Sequence, residues 1–182
     1  MGSELRVPEE YRCLGCDDHR CLLEVTYKKL DYSDFESAKK LAPLVWEFNY
    51  RVNDTDLSEW TTVKVYGVDL PMQKIESHMA VCKYQQCEFV MALKGDDCVG
   101  FIMYHHFAGA VIYVRGIYLD PKVEGHGIGS GLVDNIPGAV NLVVFQTQKK
   151  LPPMRLLRGR NQRKICEDEK MITWTMDWEK SK

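Results

Sequence analysis

No stretch of the sequence approaches eighteen consecutive apolar residues, which excludes a conventional membrane-crossing helix. Internal repeats, low-complexity tracts and Gly/Ser linkers are also missing, so nothing divides the chain into separate units. The opening residues Met1 to Arg6 lack the apolar core of a signal peptide, and Arg6 stands where a myristoylation motif needs Ser or Thr. Seven cysteines are an odd number, which suits reduced thiols better than a disulfide framework. These absences together make the cytoplasm the expected location.

Neither sign of charge is in surplus. Lys+Arg number 24 against 26 Asp+Glu, for a formal charge of -2, so no whole-chain argument supports nucleic-acid or anionic-membrane binding. The balance hides an asymmetry: residues 1–97 carry 12 basic and 18 acidic side chains, and residues 98–182 carry 12 basic and 8 acidic. An acidic half beside a basic half is able to serve a cationic ligand and an anionic one. With 182 residues, 45% hydrophobic and 27% charged, the chain has the composition of one folded domain with a real core.

Residues 1–21 form a polar arm that carries Cys13, Cys16, His19 and Cys21. Their C-x-x-C spacing is able to close on a structural zinc, although all four lie within a few residues rather than on two separated knuckles. Free thiols in a terminal arm are the alternative. Residues 22–182 then read as a single domain. Leu22 to Leu30 has strand character, and Ser33 with Glu36 has the spacing of a capping box for a helix running to about Val52. Phe35, Leu41, Leu44, Val45 and Phe48 recur along it at helical spacing. A second helix is expected over Leu70 to Gln86, with Pro71 in its first turn and Ile75, Met79 and Cys82 on one face.

The period then changes from helical to extended. Glu88 to Leu93, Cys98 to Phe107 and Val111 to Leu119 read as three consecutive antiparallel strands joined by Lys94-Gly95-Asp96-Asp97 and Ala108-Gly109. Asp120-Pro121 leads into a glycine cluster, followed by a short helix and strands at Asn141 to Gln146 and Met171 to Trp178. The outline is α/β with a mixed sheet, of the α+β kind.

Glu124-Gly125-His126-Gly127-Ile128-Gly129-Ser130-Gly131 lies between a strand end and a helix start. Alternate glycines let a ligand approach the backbone, and successive N–H groups at a helix start form an anion nest for a phosphate or diphosphate. A tight turn without a ligand is the simpler alternative. The P-loop pattern fails, because Leu132-Val133 follow where Lys and Ser/Thr are needed. A dinucleotide fingerprint also fails, because Ser130 takes the third glycine position and the preceding strands form a meander.

These residues resemble the acetyl-coenzyme A motif of the GNAT superfamily of N-acetyltransferases, [Q/R]-x-x-G-x-[G/A], mapped onto Glu124, Gly125, His126, Gly127, Ile128 and Gly129. Val99 to Tyr104, Val114 to Leu119 and Asp120-Pro121 are similar to that fold's third and fourth strands, and the polyamine-type acetyltransferases look nearest. The resemblance implies an acyl-CoA N-acyltransferase fold with a central, largely antiparallel sheet flanked by helices. It also implies acetyl-CoA as cofactor. Backbone groups of Ile117, Tyr118 and Leu119 would pair with the pantetheine arm, and N–H groups from Gly125 to Ser130 would hold the diphosphate. The implied reaction is direct acetyl transfer to a primary amine, with a fourth-strand N–H stabilising the oxyanion.

Several positions depart from that pattern. Glu124 replaces the usual Gln or Arg, Arg115 occupies the place of a polyamine-type catalytic Glu, and Leu157 that of the acidic Tyr. Pro137-Gly138 interrupts the helix after the glycines. Proton transfer then falls to other groups, and His105 and His106 are candidates: histidine titrates near neutral pH, and strand alternation puts one on each face. Lys149, Lys150, Arg155, Arg158, Arg160, Arg163 and Lys164 form a run without an intervening acid, able to meet the 3′-phosphate of coenzyme A or to be a solvated face. No aromatic residue interleaves with it, which disfavours nucleic acid. The expectation is an N-acetyltransferase for a small-molecule primary amine, a polyamine among them, in a chain that pairs as a homodimer. The alternative is a catalytically impaired module of this fold that binds acetyl-CoA or a protein partner.

Overall fold

A computed structural model describes residues 24–52, 62–149 and 161–180. The Cys13, Cys16, His19 and Cys21 cluster, the arm of residues 1–21, Leu157 and much of the basic run lie outside the described residues. Seven strands form one sheet in the order β1-β4-β5-β6-β7-β9-β8. They are β1 (Thr26–Lys29), β4 (Glu88–Lys94), β5 (Asp97–His106), β6 (Val111–Leu119), β7 (Leu142–Gln148), β8 (Gln162–Glu167) and β9 (Met171–Asp177). Only the β6–β7 pair is parallel. β2 (Thr62–Val65) and β3 (Val68–Pro71) form a separate hairpin.

Helices α1 (Phe35–Val52) and α2 (Ile75–Tyr84) cover one face, where Leu41, Val45, Phe48, Met79 and Cys82 bury against Phe89, Met91, Phe101 and Met103. Helix α3 (Ile128–Asp134) covers the other, where Ile128, Leu132 and Ile136 meet Val90, Ile102, Tyr104, Ile112 and Val143. The strict alternation of β4 and β5 between these clusters produces two cores on one sheet. This is the mixed, mostly antiparallel architecture that the sequence implies.

Four local expectations need correction. Asp34, not Ser33, caps α1: its carboxylate accepts the Ser37 N–H at 3.1 Å and the Ser37 hydroxyl at 2.6 Å, while Ser33 bonds Asp31. Phe35 faces solvent at 73% exposure, ahead of the buried stripe. Leu70 and Pro71 belong to β3 rather than α2, because Tyr66 and Gly67 both take positive φ (49° and 79°), the two-residue turn that folds Val68 back onto Val65. α2 therefore starts at Ile75, whose side chain is exposed while Ser77, His78, Met79 and Cys82 are buried. Finally, part of the basic run is strand β8. The strand's polar, exposed side chains hide it from a hydrophobic pattern.

The Lys28 ammonium also donates to Asp34 at 2.8 Å. Hydrogen bonds from Lys28 and Ser37 hold the Asp34 carboxyl well below the usual carboxylate range. The charged form is favoured in the folded chain, so this contribution is present above the ordinary carboxylate pKa and is lost as pH falls. Asp34→Ala is expected to unfold at lower urea concentration than wild type at pH 7, with the gap narrowing below about pH 4. Urea titrations at both pH values check this.

Tyr104 is fully buried, and its hydroxyl has no hydrogen-bond partner among the described residues. Burial, with the Glu88 charge adding to it, raises the phenol pKa. An unpaired buried hydroxyl costs about 1–3 kcal/mol, so Tyr104→Phe is expected to raise stability by about 1 kcal/mol. Denaturant unfolding of the variant measures that gain.

Candidate functional site

The site begins with a fault in the regular pairing of β6. Against β5, Met103 faces Gly116 and Tyr104 faces Val114, which leaves Arg115 as an extra, bulged residue. Against β7, pairing covers only Val111 to Val114. From Arg115 to Leu119 the edge of β6 that faces β7 pairs with no strand among the described residues, and the two strands part there. Ile117, Tyr118 and Leu119 lie along this open edge, with Tyr118 stacked on Phe101 at a ring separation of 6.1 Å.

The bulge also changes side-chain parity. Ile112 and Val114 pack on the α3 side and so do Ile117 and Leu119, whereas Gly116 and Tyr118 turn toward α1. Gly116 has no room for a side chain, because an added Cβ would lie 2.4 Å from Cζ of Phe48.

The open edge leads straight into the glycine turn. Asp120 accepts the Lys122 N–H at 2.9 Å and starts a single 3₁₀ turn at Pro121–Val123. Gly125 (φ +82°) and Gly127 (φ +75°) then take the left-handed conformation, and Gly127 begins α3. The space at the Gly125 Cβ position holds no heavy atom within 4 Å. The first α3 bond runs from Gly131 N–H to the Gly127 carbonyl, so no backbone carbonyl among the described residues takes up the amides of Gly129 and Ser130. Glu124 is exposed, and His126 folds back so that its Nδ1–H donates to the Glu124 carbonyl at 3.0 Å. The turn thus presents amides and open space together, which suits a polyanion.

α3 is fixed from behind. The Trp178 indole donates to Asp134 at 2.9 Å, and Lys180 donates to the Ile136 carbonyl and, at 2.6 Å, to that of Gly138. The Asn135 amide closes the last turn by donating to Gly131 at 2.8 Å. α3 ends at Asp134, ahead of Pro137.

The two candidate histidines are separated by the pleat. His106 is on the α3 side, 3.1 Å from Glu88 and against the Tyr104 ring. Glu88 also accepts Lys29 at 2.6 Å; burial opposes its charge, but these two partners hold its carboxyl below the usual range. His105 is on the opposite side, half-buried, with Nε2 3.6 Å from Cys87 Sγ. Burial lowers its pKa, and the nearby Arg115 guanidinium lowers it further.

Composition alone does not reveal why Cys87 sits there. Gln86 takes a left-handed conformation (φ 56°) at the end of α2, and the Cys87 N–H reaches back to the Cys82 carbonyl at 3.0 Å. This Schellman closure brings residues five apart into contact and stacks Cys82 against Cys87. A hydrogen bond from Cys82 holds the Cys87 thiol below its ordinary value, with Arg115 assisting. Cys82 is pushed up, by that hydrogen bond and then by burial. Arg115 is itself exposed. Sequence reasoning missed the two cysteines, because Gln86 takes a left-handed position that glycine or asparagine more often marks.

Of the basic run, Lys149 and Lys164 pair with Glu167 at 3.7 and 2.9 Å, and Arg163 with Asp177 at 3.0 Å. These are solvated surface pairs. Among the described residues no group of three or more His, Cys, Asp or Glu is placed to hold a metal ion, and no helix is long and apolar enough to cross a membrane.

Comparison with known proteins points one way. Residues 50–136 match the model of the acetyltransferase (GNAT) family. No curated protein sequence matches the chain. Among solved structures, one from Pyrococcus horikoshii OT3 is 17% identical with a TM-score of 0.57, covering 86% of this chain and 99% of its own. The PaiA N-acetyltransferase from Thermoplasma acidophilum, in complex with coenzyme A, is 12% identical with a TM-score of 0.54, covering 85% and 99%. An acetyltransferase of the GNAT family from Staphylococcus aureus Mu50 is 10% identical with a TM-score of 0.54, covering 84% and 98%.

Proposed function

From a chain that carries the GNAT acyltransferase fold and matches that family over residues 50–136, we propose an acetyl-CoA-dependent N-acetyltransferase whose acceptor is the primary amine of a small molecule. The observation that carries this reading is the break in the ladder: β6 parts from β7 after Val114 and runs directly into a glycine turn in which no backbone carbonyl among the described residues takes up the Gly129 and Ser130 amides. The same fold holds coenzyme A in the Thermoplasma enzyme.

The residues present fit the cofactor. The unpaired edge of Ile117, Tyr118 and Leu119 offers backbone groups to an amide-bearing arm, as a sheet edge does to an added strand. The amides from Gly125 to Ser130, at the positive end of α3, suit a diphosphate, while Glu124 is exposed and leaves the turn free of a buried like charge. Acetyl-CoA, when bound, supplies a thioester whose acyl carbon bonds the amine nitrogen as its C–S bond breaks and the thiol product takes up a proton.

The chain's own residues supply the proton chemistry. An alkyl ammonium with a pKa near about 10.4 must lose a proton before it attacks. His105 suits that task on the α1/α2 side of the sheet, since burial and Arg115 favour its neutral imidazole, whose Nε2 lies 3.6 Å from the Cys87 thiol. His106 is committed to Glu88.

A second reading is favoured by one observation. The bulge carries a cationic Arg115 where the polyamine-type pattern carries a carboxylate, which describes a domain that binds acetyl-CoA without turning it over. Titration of the purified chain with acetyl-CoA by calorimetry, followed by thiol release with a panel of primary amines, separates the two. Saturable binding with turnover is the expected result. Binding without turnover selects the second reading, and absence of binding overturns both.

A further inference from the structure

Four groups from three elements lie on the α1/α2 face of the sheet. His105 lies near the end of β5, Arg115 stands on the β6 bulge, and Cys82 and Cys87 are brought together by the closure of α2. His105 pairs across the sheet with Tyr113, two residues before Arg115. The guanidinium is near enough to oppose positive charge on His105 and to favour negative charge on Cys87. Glu88, on the opposite face of the sheet, is taken by Lys29 at 2.6 Å and His106 at 3.1 Å.

We propose that this chain selects an acceptor amine that also carries an anionic group, a carboxylate or phosphonate within a few bonds of the nitrogen, and that Arg115 holds that anion while the amine faces His105. The proposal rests on the acetyltransferase reading above and narrows it. An exposed guanidinium at a bulge presents a planar fork of N–H groups able to donate to two oxygens at once. At the bulge Arg115 has no cross-strand partner on β5, and its side chain is exposed. A polycation fits the same place badly, because its second ammonium would meet the Arg115 guanidinium. His105 and Arg115 lie on neighbouring strands, diagonal to each other across the His105–Tyr113 pair, which favours a short spacing between anion and amine.

The test uses matched acceptors that differ only in the anion: lysine against cadaverine, β-alanine against ethylamine, and 2-aminoethylphosphonate against ethylamine. Thiol release from acetyl-CoA is followed for the full chain and for Arg115→Gln and Arg115→Lys. Wild type is expected to prefer the anionic member of each pair by about tenfold or more in kcat/KM, the worth of a charge-assisted contact. Arg115→Gln is expected to bring that ratio near one, chiefly through KM, and Arg115→Lys to restore part of it. If binding of acetyl-CoA occurs without release, equilibrium binding of the same pairs to the coenzyme A complex reads the same ratios. Equal use of both members, preference for the diamine, or a ratio unmoved in Arg115→Gln overturns the proposal while leaving the acetyltransferase reading intact. Failure to bind acetyl-CoA overturns both.

Discussion

Gly116→Val is expected to cost about 3 kcal/mol or more of stability, as overpacking of a filled core site does. The Phe48 ring occupies the place of any side chain at this position, with Cζ 2.4 Å and Cε1 2.7 Å from an added Cβ. Phe48 has little freedom to withdraw. It is 9% exposed and packs edge-on against Phe101 at a ring separation of 5.8 Å. The backbone has little freedom too, because Gly116 pairs with Met103 beside the Arg115 bulge. Phe48→Ala alone removes a buried ring and is expected to cost about 3–5 kcal/mol. In the double variant the valine refills part of the vacated space, so the combined loss should fall short of the two single losses added together. Urea unfolding of the four proteins measures the cycle. Additive losses would show that the ring and the glycine do not share a site.

Gly127→Val is expected to lower acetyl-CoA affinity at least about tenfold, since a left-handed residue other than glycine costs about 1–2 kcal/mol and a β-branched one more. Gly127 has φ +75° at the first residue before α3, so a valine there forces the turn toward another conformation and moves the amides that follow. Gly127→Asn is the informative companion, because asparagine tolerates this region, and it should retain more affinity than valine. Calorimetric titration gives the affinities. Thermal melting shows whether strain appears as lost stability instead. A valine variant that binds and melts as wild type does would remove this turn from the cofactor site.

The meander of β4, β5 and β6 was legible because its turns carry Gly95 and Gly109, both at positive φ, between continuous apolar runs. The glycine turn was legible for the same local reason. The β2–β3 hairpin escaped because Tyr66 occupies a left-handed position that asparagine or glycine more often marks. β8 escaped because an edge strand exposed along Arg163 to Glu167 has no alternation to show. The parting of β6 from β7 was not legible in any local pattern. Where β6 leaves β7 depends on the pairing of Val114 with Phe145, residues separated by the whole of α3 and its flanking turns. His105 and His106 were placed on opposite faces correctly by period alone, yet their different partners, Cys87 and Glu88, come from the end of α2 and the start of β4. That helix closure is set by the conformation of Gln86 and not by its side chain.

The extra residue at Arg115 also sets how β6 can vary. Because it lets Val114 and Ile117, three positions apart, share one face, the strand is two half-strands joined out of phase. Loss of that extra residue would restore ordinary alternation and leave Ile117 and Leu119 on the α3 side with Gly116 and Tyr118 toward α1. The bulge is therefore where this strand absorbs a change of one in length without turning over the side chains that follow it.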